Sequence, residues 1–210
     1  MSSTGLDLSY RQPVPDQDSD EAGQRIVEAA LGCFVEVGIR RTSMDDIARA
    51  AGVGRTTVFR RFESKDRLVQ IVLLRIVGQA TERVRAVFQG APDLETGLTE
   101  ALVVAVKELR DHPLFAKVLR IEPESFLRTL TTDGASVIAV VRGSIADWLG
   151  ASGGGPLSDG DADKVAEGFI RLGMSLILTP EGLIPIDDDE GLRAYFARYV
   201  VPGIARLAAY

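Results

Sequence analysis

The 210-residue chain has little of what metal and thiol chemistry requires: one cysteine, Cys33, and one histidine, His112. A Cys/His zinc centre, an intrachain disulfide or a Cys-x-x-Cys redox pair cannot be assembled from these, and no metal or other cofactor is implied. Aromatic residues make up only 6% of the chain, and no apolar run approaches the ~20 residues that cross a bilayer. The first twenty residues lack the basic segment and apolar stretch of a secretory leader, so the expected location is the cytoplasm. What remains, 46% hydrophobic and 26% charged residues, is the composition of a globular protein long enough to bury a substantial core.

The net charge of −6 argues against a protein that coats nucleic acid over its whole surface. The charge is unevenly spread, however. Between Arg40 and Arg75 stand nine basic residues (Arg40, Arg41, Arg49, Arg55, Arg60, Arg61, Lys65, Arg67, Arg75) against four acidic ones, a local +5 beside −11 for the rest. One basic face is therefore compatible with an acidic whole.

The pattern along the chain is helical. Residues 1–20 carry prolines, serines and aspartates without apolar periodicity, and are expected to be a disordered tail. From Glu21 onward Ala22, Ile26, Ala29, Ala30, Cys33, Phe34 and Val37 recur at three- and four-residue steps before Gly38, predicting an amphipathic helix. Ser43 followed by Asp45 and Asp46 reads as the capped start of a short helix that Gly52 ends. Val58 and Phe62 form the inward stripe of a third, and Ser64 caps a fourth that runs to about Gly90. Further helices are predicted over 94–110, from Pro113 to about Leu130, over 135–149, from Asp161 to Leu178, and from Asp188 to about Leu207. Strand-like alternation is absent, so the fold class is all-α: an N-terminal three-helix unit over 21–68 and a helical C-terminal unit over 69–210.

A short helix, a glycine-containing turn and a second short helix satisfy the geometry of a helix-turn-helix, whose last helix lies in the major groove. At ~100° per residue from Arg55, Val58 and Phe62 fall near 300° and 340°, which leaves Thr56 at ~100°, Arg60 at ~140° and Thr57 at ~200° facing outward. These groups can hydrogen-bond base edges, and Arg60 can grip guanine O6 and N7 in bidentate fashion. Arg55, Arg61 and Lys65 are placed for phosphates, which position without specifying. The amides behind Ser43 and Ser64 offer helix N-termini to phosphate, and both serines are equally well explained as caps.

The run from Thr42 to Leu68, with its Ile47-Ala48 pair, Ala51-Gly52-Val53 turn and Phe62-Glu63-Ser64-Lys65-Asp66-Arg67-Leu68 entry to the fourth helix, resembles the DNA-binding signature of the TetR/AcrR family of transcriptional regulators. Phe59 stands where members usually carry tyrosine and Gly54 where they often carry serine. A phosphate contact through a tyrosine hydroxyl is therefore absent, while the Phe59 ring can still pack on the DNA backbone. The resemblance implies a homodimer on a palindromic double-stranded DNA operator, a four-helix dimer bundle built from the last two long helices of each subunit, and a small-molecule pocket in the C-terminal unit. The segments His112-Pro113-Leu114-Phe115, Glu122-Pro123-Glu124 and Thr179-Pro180-Glu181-Gly182 resemble those of an actinobacterial subset of the same family.

Phe115, Leu119, Phe126, Trp148 and Phe169 are large apolar groups on the central helices, suited to line a cavity for an apolar or aromatic effector and equally suited to fill a core. Two readings of another class compete. Gly150-Ala151-Ser152-Gly153-Gly154 matches a hydrolase nucleophile elbow, but a helix is predicted where that motif needs a strand, and His112 is the only candidate base. A helical ligand-binding or interaction protein with a vestigial DNA face is the other. Asp159, Asp161 and Asp163 open like a calcium loop, yet Lys164 and Ile170 occupy its glycine and glutamate positions, so they are expected to be N-terminal charges of a helix. Cys33 is expected in the core, and His112 at a linker or helix cap.

Overall fold

A computed structural model of the chain describes residues 21–121 and 135–208. Among these residues there are ten α-helices and no strand: α1 (Glu21–Val37), α2 (Met44–Ala51), α3 (Arg55–Phe62), α4 (Lys65–Gly90), α5 (Leu94–Arg110), α6 (Pro113–Ile121), α7 (Ala135–Leu149), α8 (Asp159–Leu178), α9 (Asp189–Tyr199) and α10 (Val201–Leu207). The tail expected over 1–20 and the continuation of α6 toward Leu130 lie outside the described residues.

Residue-specific caps set the boundaries of the first helices. Ser43 accepts the Asp46 N–H while Asp46 accepts the Ser43 N–H in return, a reciprocal box that closes the start of α2. Gly52 ends α2 at φ 65°, a left-handed conformation in which a side chain would be strained, and donates its N–H to the carbonyls of Ala48 and Arg49. Ser64 accepts the Arg67 N–H at the start of α4. Between α3 and α4 the chain turns in two residues, with Glu63 at φ 58° and ψ −51°, and the Ser64 N–H donating to Phe62.

Two apolar clusters form the core. The first joins Ile26, Ala30 and Phe34 of α1, Ile47 of α2, Val58 and Phe62 of α3 and Leu68, Val72 and Ile76 of α4 to Leu114, Phe115 and Val118 of α6. The second gathers Val84, Leu98, Leu102, Trp148, Leu149, Leu192, Phe196 and Val201 from α4, α5, α7, α9 and α10. Full burial of each large side chain contributes about 1.5–3 kcal/mol. The expected unit boundary after residue 68 falls within α4, which crosses without interruption from one cluster to the other. In addition α6, from the second half of the chain, closes the first cluster.

One sequence expectation is corrected by the structure. The helix predicted to run unbroken from Asp188 to Leu207 is two helices, divided at Val200 (φ −113°, ψ −56°). Pro202 accounts for the break: it has no N–H to donate to the carbonyl four residues back, and its ring would collide with that carbonyl, whereas near the start of a new helix it is tolerated.

Candidate nucleic-acid interface and effector cavity

The short α3 presents two faces. Val58 and Phe62 are 0% and 1% exposed, while Arg55, Thr56, Phe59 and Arg60 are exposed and Thr57 and Arg61 half-buried. Of the three residues the helical arithmetic turns outward, Thr56 and Arg60 are exposed, whereas Thr57 is half-buried. Arg55 is held in place: Nη1 lies 2.9 Å from Oδ2 of Asp45 on α2, and the guanidinium sits 5.2 Å from the centroid of the Phe59 ring. Phe59, expected to pack on a DNA backbone, thus already supports a cation at the same surface.

Ser43 is fully engaged as a cap, donating its hydroxyl to Asp46 Oδ2 at 2.5 Å and accepting the Asp46 N–H at 3.1 Å. These hydrogen bonds from Ser43, with Arg49 beside them, hold the Asp46 carboxyl below the usual carboxylate range.

Lys65 departs from expectation. Rather than facing outward for a phosphate, its ammonium turns back to the carbonyls of Ile39 (3.1 Å), Thr42 (3.2 Å) and Arg40 (3.4 Å). The reason is local: α1 ends at Val37, and the backbone that follows needs donors for its carbonyls, which an ammonium with three N–H groups supplies. Lys65 fastens the loop before α2 to the start of α4.

Between α4, α5, α7 and α8 lies a cavity of about 150 Å³. Three of the five residues proposed for it from sequence, Phe115, Trp148 and Phe169, form part of its wall. Leu119 does not; it packs, partly buried, on the first core cluster. Phe126 lies outside the described residues. The rest of the wall comes from residues that type alone does not mark, including Val77 and Ala80 of α4, Leu102 and Ala105 of α5, and Gly173 and Ile177 of α8. Phe115 belongs both to this wall and to the first core cluster, so cavity and helix-turn-helix share a side chain.

The same short helix is tied to the first unit by a polar contact. Lys117 of α6 donates to the carbonyl of Glu36 near the end of α1 at 2.5 Å. His112 caps α6 by accepting the Leu114 N–H at Nδ1 (3.2 Å) and stacks edge-on against Phe115. Burial of the imidazole pushes its pKa down.

The alternative motifs resolve into structural parts. Helix α7 rather than a strand precedes Gly150, and Ala151–Gly153 is a single 3₁₀ turn folded back on the helix end. A side chain at position 153 would meet the Asp147 carbonyl at 1.6 Å, so the glycine there serves close packing. Asp161 accepts the Ser158 hydroxyl at 2.7 Å at the start of α8. Asp188 caps α9 by accepting the Glu190 N–H at 3.1 Å. No helix among the described residues is long and apolar enough to cross a membrane.

Residues 26–72 match the family of bacterial regulatory proteins named tetR, and residues 93–198 match the bacterial tetracyclin repressor C-terminal domain. The chain is 28% identical over 180 residues to an uncharacterized HTH-type transcriptional regulator of Mycobacterium bovis, covering 83% of this chain and 90% of that one. It is 26% identical over 171 residues to the HTH-type transcriptional regulator AlkX of Mycobacterium tuberculosis, covering 76% and 74%. In fold it is similar to the crystal structure of the TetR family repressor AlkX from a Dietzia strain, implicated in biodegradation of n-alkanes, with a TM-score of 0.73 at 18% identity over 90% of this chain and 97% of that one.

Proposed function

The chain belongs to the TetR family of bacterial regulatory proteins and is a DNA-binding transcriptional regulator, and from that premise we propose that it is a cytoplasmic homodimeric repressor, without catalytic activity, released from a palindromic operator by a small apolar effector. Thr56, Thr57 and Arg60 read base edges, and Arg55, Phe59, Arg61 and the helix start behind Ser43 engage the phosphate backbone. Helices α8, α9 and α10 form the subunit interface, with the exposed Tyr199 and Leu207 (66% and 44% accessible) on its rim.

The observation that carries the ligand response is Phe115, common to the cavity wall and the core of the DNA-binding unit. An effector that repositions Phe115 shifts α6, and the Lys117 contact passes that shift to the end of α1. Helix α4, continuous between the units, is the second path. A dimer whose recognition helices no longer stand one DNA turn apart, about 34–36 Å, loses operator affinity by the effector's preference between the two states, typically about 1–3 kcal/mol. The apolar wall and the likeness to a repressor implicated in n-alkane biodegradation support an apolar effector.

Release is the test. Protein bound to an enriched duplex is titrated with small apolar molecules beside Gly173→Leu, which places a side chain where the wall is open. The variant should bind DNA as the parent does and fail to respond; an unchanged response would place the effector elsewhere.

A further inference from the structure

The loop that joins α1 to α2 is anchored at almost every residue. Gly38 enters it at φ 95° and donates its N–H to the Phe34 carbonyl at 3.0 Å. Thr42, 2% exposed, donates its hydroxyl back to the Gly38 carbonyl at 2.8 Å, and Ser43 closes the loop as the cap of α2. The Lys65 ammonium holds the carbonyls of Ile39, Arg40 and Thr42. Arg41 is the residue of that stretch whose carbonyl Lys65 leaves aside, and its side chain is exposed.

From this we infer that Arg41 binds a DNA backbone phosphate beside the start of α2, presented by a loop that Lys65 and Thr42 hold in one shape. The inference rests on the reading of α2 and α3 as the DNA interface. In a helix-turn-helix the helix before the recognition helix crosses the sugar-phosphate backbone. Here that helix is α2, and Arg41 stands two residues before its cap. The carboxylates of the first turn of α2 are already engaged: Asp45 by Arg55, and Asp46 by Ser43 and Arg49. A guanidinium meets a phosphate with two parallel N–H groups, which suits Arg41 to a contact that fixes register and carries no base preference. Because the loop backbone is set before DNA arrives, little of the binding energy is spent on ordering it. Lys65 thus serves DNA binding indirectly, with its own charge directed at carbonyls.

The experiment is a salt titration of DNA binding by the full chain, on a random-sequence duplex and on a duplex enriched by selection. Arg41→Ala lowers the slope of log affinity against log salt by about 0.9 and weakens both duplexes alike, by about fivefold at about 0.15 M salt. Arg41→Lys, which keeps the charge, restores the slope. Arg25→Ala removes an equal charge about 18 Å away along α1 and leaves the slope unchanged. Lys65→Met weakens both duplexes without changing the slope, and that loss disappears when Arg41 is already alanine. Should Lys65→Met fold poorly, Thr42→Val loosens the same loop by removing the hydroxyl tie to Gly38, and its loss disappears in the same background. An unchanged slope in Arg41→Ala, an equal fall in Arg25→Ala, or a loss confined to the enriched duplex would overturn the phosphate contact. Losses for Lys65→Met or Thr42→Val that persist undiminished beside Arg41→Ala would overturn the presentation by the loop. If no sequence is enriched but Arg41→Ala lowers the slope on random duplex, base reading fails and the contact stands. If a palindrome is enriched and Arg41→Ala keeps the parent's slope, the contact fails and the regulatory reading stands.

Discussion

Arg55 at the start of the recognition helix is paired with Asp45 of the preceding helix, Nη1 to Oδ2 at 2.9 Å, on a surface where both side chains remain largely exposed. An exposed pair of this kind adds little to stability. Its effect is on DNA: a carboxylate beside the guanidinium competes with phosphate for it. Asp45→Asn should therefore strengthen binding to random duplex by a few-fold, steepen the dependence of log affinity on log salt by about 0.9, and reduce the preference for operator over random DNA. Salt titrations of parent and variant check this; an unchanged slope would show that Arg55 does not reach a phosphate.

Arg60 and Lys65 separate recognition from scaffolding. Arg60→Ala should cost about 1–3 kcal/mol on the operator and much less on random DNA if the side chain reads a base. Lys65→Ala should leave the salt slope unchanged and lower thermal stability by about 1–2 kcal/mol, because three backbone carbonyls lose their donor. Equilibrium unfolding with paired binding isotherms distinguishes the two; a salt slope reduced by about one in Lys65→Ala would return that residue to the phosphates.

The strained turn between α3 and α4 offers a stability test. Glu63 holds a positive φ with its side chain exposed, so Glu63→Gly should stabilise the protein by about 1 kcal/mol, the relief exceeding the greater entropy of the unfolded glycine. A destabilised variant in denaturant unfolding would show that the Glu63 side chain contributes more than its backbone costs.

His112 gives a pH signature of definite sign. Its Nδ1 accepts a backbone N–H, and burial depresses its pKa, so the folded state favours neutral imidazole. The stability it contributes is complete above the unfolded value of about 6.5 and declines as pH falls below that toward the folded value. Carboxylates held low by their hydrogen bonds, Asp46 and Asp161 among them, add their own loss only near and below about pH 4. His112→Asn, which keeps a capping acceptor, should flatten stability between pH 5 and 7; a profile identical to the parent's would assign that dependence to another group.

Coupling through α6 can be cut at one bond. Lys117→Met keeps the apolar stem and removes the donor to the Glu36 carbonyl. Operator binding and effector binding measured separately should stay within about threefold of the parent, while the change in operator affinity caused by effector shrinks. Full coupling in the variant would leave α4 as the sole path.

The helix-turn-helix was legible in the sequence because its boundaries are written in residue types with single physical meanings: Ser43 and Ser64 as caps, Gly52 as a left-handed stop, Val58 and Phe62 four apart as the buried edge. The destination of Lys65 was not, since its partners lie 23 to 26 residues away and are backbone carbonyls that no side-chain pattern announces. The break at Val200 is a second case: apolar periodicity continues across it and reads as one helix, while the interruption rests on the single residue Pro202. The cavity is the least legible part. Its wall depends on where small residues such as Ala80, Ala105 and Gly173 leave space between helices, and a void has no residue type. Leu119 and Phe115 sit four apart on α6 with only Phe115 on the cavity wall, a difference that residue type does not reveal.

The most direct test of sequence-specific regulation is selection of bound duplexes from a random pool at near-physiological salt, where phosphate binding alone is weak, with Thr56→Ala/Arg60→Ala as the comparison. The expected result is a palindrome whose half-sites lie about one helical turn apart, lost in the double variant while its fold and dimerisation persist. Recovery of no enriched sequence, or of the same sequence by both proteins, would contradict base reading by the outer face of α3.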